Sequence, residues 1–319
     1  PALGFLGTIF YETIKYRKES KMAYLWGVTV LWAFSFSLIG VYLSGQVDSY
    51  FAVFSRTFLA TLMFLPFIRW KKVPWNLAVR LMGIGAVQLG LMFICFYHSF
   101  SFLSVPEVVL FTVFTPIYIT LLYDAARRRF TFWYLVTAGV AVAGAAVIRY
   151  NPLSQDFVIG FLLVQGANVC FAVGQVGYKD LMEKRRQAGL QVFAQHSVFG
   201  FFYIGAMAVA VSGWLIWGDM AMMPQTAVQW GVLLWLGVAA SGIGYFLWNK
   251  GATLVNAGAL AIMNNALVPA GLVVNLVIWN READLLRLLA GGGLILAALW
   301  FNESWVKQRV EKQRLWANG

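Results

Sequence analysis

The sequence predicts an all-α polytopic membrane protein with about ten transmembrane helices, arranged as two inverted repeats of five helices. Hydrophobic residues make up 61% of the chain and charged residues only 12%, whereas soluble domains average about 45–50% and about 25%. The apolar residues form runs of roughly the 20 residues that a helix needs to cross a bilayer. The last runs in the second half of the chain match those in the first half in type and order, and this similarity, called the echo below, predicts the repeat.

The apolar runs divide the 319 residues into four regions. Residues 1–21 form an amphipathic, basic leader or extension that lacks the apolar core of a signal peptide. Residues 22–150 contain the first five-helix repeat, residues 157–306 contain the second, inverted repeat, and residues 307–319 form a basic cytoplasmic tail. The ten spans are predicted near Ala23–Leu43, Tyr50–Ile68, Leu77–Tyr97, Glu107–Tyr123, Trp133–Val147, Phe157–Tyr178, Val192–Trp217, Val228–Trp248, Ala257–Trp279 and Leu285–Trp305.

Lysine and arginine determine the expected orientation. They are concentrated in alternate connections and in the tail, and loops rich in these residues stay in the cytoplasm. We therefore expect a multi-pass membrane protein with both termini in the cytoplasm. The net charge of +11 does not indicate nucleic-acid binding, because the basic residues form no patch interleaved with aromatic residues. The basic connections contain Arg69, Lys71, Lys72, Arg80, Arg127, Arg128, Arg129, Lys179, Lys184, Arg185, Arg186 and Lys250, and the opposite connections contain only Arg149, Arg281 and Arg287.

The echo between the halves lies in their last three spans. In each half a span that ends in aromatic residues precedes a span with a central proline, Pro116 or Pro269, and a span rich in small residues follows. A repeat that begins after five crossings enters the membrane from the opposite side, so the two units are inverted. Inverted repeats with disturbed helices near the midplane are typical of secondary transporters, which hold their substrate at the repeat interface.

The stretch Ala259–Leu276 is the most informative part of the chain. It places two adjacent amides, Asn264 and Asn265, together with Pro269 in a run that is otherwise apolar enough to lie in lipid. An unpaired amide or backbone carbonyl in hydrocarbon costs several kcal/mol, so such groups face protein, water or a ligand. The stretch is therefore a candidate binding element.

A polar face runs along the sixth predicted span. Its residues recur at intervals of three and four, which places them on one side of a helix. Amides in these spans could bind a substrate, or they could stabilise the bundle through interhelical hydrogen bonds worth about 0.6–2 kcal/mol each. The face consists of Gln165, Asn168, Ala172, Gln175 and Lys179, and weaker polar faces contain Ser241, Tyr245 and Asn249 in the eighth span and Trp32 and Ser35 in the first.

Arg56 and Glu107 are the two charged residues that the predicted boundaries place inside spans and near the outer half. They could pair with each other and hold an outer gate. Arg56 could alternatively bind an anionic substrate, because the guanidinium fork matches a carboxylate. Glu107 could act in gating through that pair or carry a coupling proton, since ionisable residues inside membranes often mark proton pathways.

The sequence contains no pattern typical of catalysis or of cofactor binding. It has no HExxH, GxSxG, CxxC or Walker A motif and no acidic metal cluster. Cys95 and Cys170 lie inside apolar runs and are interpreted as small core residues. We therefore expect no enzyme activity, no catalytic residue, no cofactor and no metal.

Several stretches of the chain resemble a known transporter family. Five plus five spans, Arg56 early in the second span and prolines in the fourth and ninth spans resemble the EamA-type drug/metabolite transporter (DMT) superfamily. Within that superfamily, the region Tyr24–Trp305 resembles the YigM-type biotin transporter family of bacteria. The stretches that carry this second resemblance are VDSYFAV at Val47–Val53, VLFTVFTPIYITLLYD at Val109–Asp124, VGYKDLME at Val176–Glu183, ASGIGYFLWNKGAT at Ala240–Thr253 and IMNNALVPAGLVVNL at Ile262–Leu276.

The resemblance implies import of biotin across the bacterial inner (cytoplasmic) membrane by one protein without an ATPase subunit. Biotin suits the polar residues described above, because its ureido group offers two N–H donors and a carbonyl, its thioether ring is apolar and its valerate is an anion. The small-residue faces of spans five and ten fit either a monomer or a homodimer. We hypothesise that Asn168, Asn264 and Asn265 read the ureido group, that Trp32, Phe111, Tyr245 and Trp248 enclose the rings, and that Arg56 or Lys179 compensates the carboxylate.

Two other functions remain open at this point. An exporter of amino acids or other small metabolites could use the same fold and cavity without amides that read a ureido group. A non-transporting membrane scaffold or enzyme would instead pack the polar faces of spans six and nine against each other, with no cavity between them.

Overall fold

A computed structural model describes residues 2–103, 107–108, 111–126, 128, 130, 132–148, 157–191, 193–279, 285–306 and 308–309 of the chain. Side chains are described from residue 22 onward, except for some helical positions close to the gaps. Arg127, Arg149, Arg281 and nearly all of the predicted tail lie outside the described residues. Across the described ranges the chain is almost entirely helical, and no strand occurs in them.

The helices of the described ranges are numbered α1 to α11 in chain order. Short 3₁₀ turns extend two of them, with Leu65–Phe67 after α2 and Thr112–Phe114 before α4. The bounds are α1 Ala2–Tyr42, α2 Ser49–Phe64, α3 Trp75–Ser99, α4 Thr115–Ala126, α5 Phe132–Ile148, α6 Phe157–Gln187, α7 Gln195–Trp217, α8 Ala227–Ala252, α9 Ala257–Asn265, α10 Leu267–Trp279 and α11 Leu285–Phe301.

The predicted all-α polytopic architecture is confirmed, because each of the ten predicted spans contains a helix. Six helical segments of the described chain are long and apolar enough to cross a membrane on their own. The other four predicted spans correspond to the shorter helices α4, α5 and α11 and to the pair α9 and α10, which together form the ninth span. The six long segments are Met22–Tyr42, Ser49–Phe67, Trp75–Ser99, Val158–Gln187, Gln195–Trp217 and Ala227–Ala252.

Side chains at the helix starts satisfy backbone N–H groups that have no partner inside the helix. The Asp48 carboxylate accepts from the N–H of Phe51 at 2.8 Å at the start of α2. The Asn256 side chain caps α9 in the same way. Thr226 and Gln229 form a reciprocal capping box at the start of α8. These caps define where the connecting loops end and the spans begin.

The ninth span is broken at Ala266, three residues before Pro269. A proline ring clashes with the carbonyl four residues earlier, here Asn265, and it donates no N–H to the helix. The break therefore falls directly after the two asparagines. Pro116 acts in the same manner in the fourth span, where the 3₁₀ turn Thr112–Phe114 precedes the regular helix α4.

The third and eighth spans each contain a central π-helical segment that the sequence analysis did not predict. The segments are Ala86–Leu91 within α3 and Leu236–Gly244 within α8. A π-helix widens the turn and displaces backbone carbonyls from the regular α-helical pattern, and such segments are frequent at functional sites. The two segments occupy corresponding positions in the two halves, which adds a structural feature to the predicted echo.

Glycines allow the helices outside the central space to pack closely. A Cβ atom added to Gly85 of α3 would overlap the carbonyl of Phe202 in α7, and one added to Gly205 of α7 would overlap the carbonyl of Met82. On the other side, a Cβ at Gly144 of α5 would come within 2.8 Å of the Gly291 carbonyl of α11. The small-residue faces of spans five and ten therefore pack against each other within one chain.

Candidate functional site

A central cavity lies between the two halves of the chain. It contains about 710 Å³ of space that protein atoms do not fill, its opening included. The lining comes from α1, α2, α3, α6, α8, the ninth span and the residues around the start of α4. It consists of Trp32, Ser35, Phe36, Ile39, Arg56, Met92, Phe93, Phe96, Thr112, Thr115, Ala167, Asn168, Phe171, Tyr245, Asn264 and Leu267.

The cavity occupies one half of the bundle. Its lining on α1 runs from Trp32 to Ile39, toward the end of the helix at Tyr42. Its lining on α3 runs from Met92 to Phe96, toward the end at Ser99. These helix ends are opposite to those that carry the basic connections, so the cavity lies in the half of the bundle that the sequence predicts to face outward.

Arg56 is a buried cation at the cavity wall. Its side chain is only 3% exposed, and its Nε donates to Ser241 Oγ at 2.8 Å while Nη1 donates to the Tyr97 hydroxyl at 3.1 Å. The guanidinium carbon lies 3.7 Å from the ring centre of Phe93, a cation–π contact. Ser241, Tyr97 and Phe93 thus fix the guanidinium in place without neutralising its charge. The pairing of Arg56 with Glu107 stays a prediction.

The π-helical segment of α8 supplies acceptors to several neighbouring side chains. The Trp32 indole N–H donates to the Ala240 carbonyl at 2.8 Å. The Tyr203 hydroxyl lies 2.8 Å from the Ser241 carbonyl and 2.7 Å from the Gly242 carbonyl. The π-helical segment therefore holds two residues that line the cavity, Trp32 through the Ala240 carbonyl and Arg56 through the Ser241 hydroxyl.

Asn168 presents an unused acceptor to the cavity. Its amide nitrogen donates to the Phe111 carbonyl at 2.8 Å and to Gln165 Oε1 at 3.2 Å. Gln165 also donates to the Phe111 carbonyl, at 3.2 Å, and accepts from the Tyr118 hydroxyl, at 3.0 Å. Among the described residues no donor contacts the Asn168 amide oxygen, so this oxygen can accept from a ligand.

Asn264 repeats this arrangement on the ninth span. Its amide nitrogen donates to the Leu260 carbonyl one turn earlier at 2.7 Å, and within the described chain its amide oxygen also has no donor. Ser35 adds a third polar group, because its hydroxyl is buried and without a hydrogen-bond partner in the described structure. The cavity lining thus includes these two amide oxygens, the Ser35 hydroxyl and the Arg56 cation.

Aromatic rings form most of the remaining wall. Trp32 lies 4.8 Å from Tyr245 and 6.0 Å from Phe171, measured between ring centres. Phe36 and Phe96 meet edge to face at 5.6 Å on the other side. These apolar faces suit a ligand that has an apolar ring body and a few polar groups.

With this geometry established, comparison with known proteins identifies the family. The model of the EamA-like transporter family matches residues 20–150. A protein of Pseudomonas aeruginosa named probable biotin transporter is 53% identical over 88% of this chain and 97% of its own length. Proteins named biotin transporter from Escherichia coli K12 and Salmonella typhimurium are 50% and 49% identical over 90% of this chain and 95% of their own lengths.

The chain belongs to the EamA-like transporter family. The resemblance drawn from the sequence is thereby confirmed, and so is the expectation of a transporter in place of a membrane scaffold. A solved structure described only as the crystal structure of a protein aligns with a TM-score of 0.71 at 15% identity, covering 92% of this chain and 99% of that one. At this identity the structural match supports the fold alone.

Below the cavity of this EamA-like transporter, an aromatic and polar layer closes the bundle. Trp248 lies 5.0 Å from Trp32 between ring centres, on the side away from the cavity opening. Its indole N–H donates to Gln175 Oε1 at 3.1 Å, so α8 and α6 are joined beneath Trp32. Trp248 was predicted to enclose substrate rings, but it supports Trp32 from below and is not part of the cavity lining.

Lys179 forms a second layer closer to the basic end. Its ammonium donates to the carbonyls of Ala252 and Val255 at 2.9 and 2.7 Å and contacts Glu183 at 2.7 Å. An ammonium has three N–H donors, so these contacts occupy all of them. Lys179, the alternative predicted partner of the substrate carboxylate, joins α6 to the connection between α8 and α9, and it lies outside the cavity lining.

The other predicted site residues have different positions. Phe111 contributes its backbone carbonyl to Asn168 and does not line the cavity with its ring. Asn265 is fully buried next to the helix break, outside the lining, and neither of its amide atoms has a hydrogen-bond partner in the described structure. Glu107 is half-buried in a helical turn, and its role in gating or coupling stays a prediction. The predicted residues that the structure brings together are Trp32, Arg56, Asn168, Tyr245 and Asn264.

Sequence reasoning missed much of the cavity wall of this transporter. Phe93 and Phe96 are spaced by three residues and point the same way, but aromatic residues at helical spacing are equally typical of an ordinary core. Ser35 could have been found, because it lies one turn from Trp32 on a polar face that the sequence analysis did recognise. Ser241 lies on the recognised face of the eighth span and positions Arg56.

Proposed function

We propose that this chain imports biotin across the bacterial inner membrane and binds it in the central cavity. The observation that carries the proposal is the presence of two free amide oxygens, on Asn168 and Asn264, in one aromatic cavity that also contains Arg56. The relatives named biotin transporters support the same substrate.

The ureido group of biotin matches the two asparagines. It has two N–H donors and one carbonyl acceptor, so each N–H can donate to one asparagine oxygen. The amide nitrogens of both residues are already bonded to backbone carbonyls, which fixes the orientation of the oxygens toward the ligand. The Ser35 hydroxyl, buried without a partner in the described structure, can donate to the ureido carbonyl.

The rest of biotin matches the remaining wall. The apolar thioether ring packs against Trp32, Tyr245 and Phe171, and its sulfur makes favourable contacts with aromatic rings. The valerate carboxylate pairs with Arg56, whose Nε and Nη1 are bound by Ser241 and Tyr97. A cation that is held by neutral partners retains its charge for an anionic ligand.

We also propose that transport proceeds by alternating access between the two inverted halves. The positive-inside rule places the basic connections in the cytoplasm, so the cavity faces outward and the layers at Trp248 and Lys179 close the cytoplasmic side. Import then requires these two layers to separate once the substrate is bound. The proline break at Ala266 and the two π-helical segments are suited to such motion, because their backbone is not locked into regular helix.

Uptake of labelled biotin by biotin-requiring cells tests this proposal. We expect Asn168→Ala and Asn264→Ala each to lower biotin affinity by about two- to twelvefold, since a neutral hydrogen bond contributes about 0.5–1.5 kcal/mol. Asn265→Ala, at equal membrane abundance, is the matched control, because this neighbouring asparagine lies outside the cavity. Equal affinities in all three variants would overturn the binding site, and an absence of biotin uptake by the folded parent chain would overturn the substrate.

A further inference from the structure

A second hollow lies on the outside of the bundle, between α3 and α6, and we call it the lateral groove. It contains about 1290 Å³ of space, its opening included, and shares no lining residue with the central cavity. The residues of each helix that line it recur at intervals of three and four, so two helical faces oppose each other. The lining consists of Asn76, Leu77, Arg80, Gly83, Ile84, Val87, Val173, Gly174, Gly177, Asp180, Leu181, Lys184, Arg185, Ala188 and Leu190.

The lateral groove changes from basic to apolar along its length. On α3 the lining is polar at Asn76 and Arg80 and apolar from Gly83 to Val87. On α6 it is apolar at Val173 and becomes charged at Lys184. At 1.5 Å per residue, the step from Lys184 to Val173 corresponds to about 16 Å along the helix. A ligand that fills the groove therefore has a polar end and an apolar segment of comparable length.

The basic end carries an excess positive charge. Three cations, Arg80, Lys184 and Arg185, line it together with one carboxylate, Asp180. Lys184 contacts Asp180 at 2.7 Å, and Arg185 donates to the Gln191 carbonyl at 3.1 Å. Arg80 is exposed and has no carboxylate partner among the described residues. A guanidinium binds phosphate oxygens in a bidentate manner, so the charge and shape of this end suit a phosphate.

The basic end of the groove lies at the level of the lipid headgroups, as lipid binding requires. Trp75, at the start of α3, is 72% exposed, and exposed tryptophans at span ends lie at the level of the lipid headgroups. Arg80 is little more than one helical turn further along α3. Basic pockets between transmembrane helices at the cytoplasmic side bind the headgroups of anionic lipids.

Glycines keep the apolar part of the groove open. A Cβ added to Gly83 would meet nothing within 4 Å, and one added to Gly177 would approach Ile84 Cγ1 only to 3.6 Å. At Gly174, in contrast, the helices touch, since a Cβ there would overlap the side chain of Gln88. The groove is therefore wide beside Gly83 and Gly177 and ends where α3 and α6 meet.

We propose that the lateral groove binds one anionic phospholipid, with the phosphate at Arg80 and Arg185 and an acyl chain along Ile84, Val87 and Val173. The proposal does not depend on the transported substrate. Binding at this site joins α3 of the first half to α6 of the second, so the lipid acts as a bridge between the two repeats.

Native mass spectrometry of the purified full chain with added phosphatidylglycerol or phosphatidylethanolamine tests this. We expect preferential retention of phosphatidylglycerol and an affinity about fivefold lower in Arg80→Gln, the effect of one basic residue at an anionic lipid. Lys72→Gln removes the same charge from an exposed position outside the groove and should have a smaller effect. Gly83→Leu should displace the lipid by filling the groove, whereas Gly83→Ala should retain it.

A cooperative thermal unfolding transition verifies that each variant is folded. Equal retention of the two lipids by the parent chain would overturn the proposal. Equal losses of phosphatidylglycerol affinity in Arg80→Gln and Lys72→Gln would also overturn it, as would retention of the lipid by folded Gly83→Leu.

Discussion

Asn168 and Lys179 lie on the same buried face of α6 but differ in how many of their hydrogen-bonding groups have a partner within the protein. The amide nitrogen of Asn168 donates to Phe111 and Gln165, and its amide oxygen has no donor among the described residues. Lys179, eleven residues further along and so about 16 Å deeper, has all three ammonium donors occupied. The polar face of α6 thus lines the cavity at Asn168 and closes the bundle below the cavity at Lys179.

The difference teaches how to distinguish the two roles in a membrane protein. A group that binds a ligand must keep some hydrogen-bonding capacity unused in the unliganded protein, and nearby bonds hold it in position. A group that closes a pathway has its capacity satisfied, because an unpaired charge in a low-dielectric interior is costly. By this criterion Arg56, Asn168, Asn264 and Ser35 belong to the binding wall, and Lys179 belongs to the closure.

Removing the Lys179 ammonium is expected to have the largest effect. Lys179→Met removes the cation that contacts Glu183 and two backbone carbonyls, and breaking a buried ion pair in this way costs about 3–5 kcal/mol. We expect a lower free energy of unfolding in detergent. We also expect faster labelling, from the cytoplasmic side, of a cysteine introduced at Gln175.

The same helix contains a matched control. Lys184 contacts Asp180 at 2.7 Å with the same four-residue spacing, but its side chain is 61% exposed, against 2% for Lys179. Lys184→Met should therefore cost less than about 1 kcal/mol. Adding Glu183→Gln to Lys179→Met should recover part of the stability, since the carboxylate that Lys179 contacts is then replaced by a neutral amide. Similar losses of unfolding free energy in Lys179→Met and Lys184→Met would contradict the inference that the contacts of Lys179 close the bundle below the cavity.

Arg56→Gln comes next in expected effect. A hydrogen bond to a charged group contributes about 1.5–3 kcal/mol, so biotin affinity should fall by roughly 10- to 150-fold. The loss should be specific to the carboxylate, and biotinamide, which has no negative charge, should bind the variant and the parent chain with similar affinity. Competition of each compound against labelled biotin measures this difference.

Arg69→Gln is the charge-matched control for that experiment, because Arg69 lies in a connection at the closed end and not at the cavity. If Arg56→Gln weakened biotin and biotinamide equally, the guanidinium would be supporting the wall through Ser241 and Tyr97 rather than binding the carboxylate.

The sequence was sufficient for the helical architecture but not for its irregular parts. Hydrophobic runs identified each span because lipid imposes a strict requirement on length and polarity. Pro116 and Pro269 correctly indicated breaks, since the proline ring has a fixed local effect. The π-helical segments Ala86–Leu91 and Leu236–Gly244 were missed, because an inserted residue in a helix has no signature in composition or periodicity.

The site was predictable only in part for a similar reason. Asn168 and Asn264 stand out in an apolar run, and both line the cavity. Asn265 has an equally unusual sequence position but lies outside the cavity, since one residue along a helix turns the side chain by about 100°. The role of Lys179 depends on the carbonyls of Ala252 and Val255, about 75 residues away in sequence, and no local pattern reveals that contact.

Ser35→Ala is expected to have a smaller effect than the change at Arg56. If its hydroxyl donates to the ureido carbonyl, biotin affinity should fall by about two- to twelvefold, the contribution of one neutral hydrogen bond. Ser55→Ala is the control, because the Ser55 hydroxyl is buried but bonds to the Ala52 carbonyl of its own helix. If Ser35→Ala and Ser55→Ala had the same affinity for biotin, the Ser35 hydroxyl would not be a biotin ligand.

Trp248→Phe should change biotin affinity least and thereby define the lower boundary of the cavity. The phenyl ring retains packing beneath Trp32, but the hydrogen bond to Gln175 is lost, at a cost of about 1 kcal/mol in stability. Since Trp248 does not line the cavity, the affinity for biotin should stay within about twofold of the parent value, a change of less than about 0.5 kcal/mol. The unfolding midpoint and the biotin affinity of the same preparation separate the two effects. A large loss of affinity with an unchanged midpoint would mean that the cavity extends below Trp32 when substrate is bound, and that the closing layer begins only at Lys179.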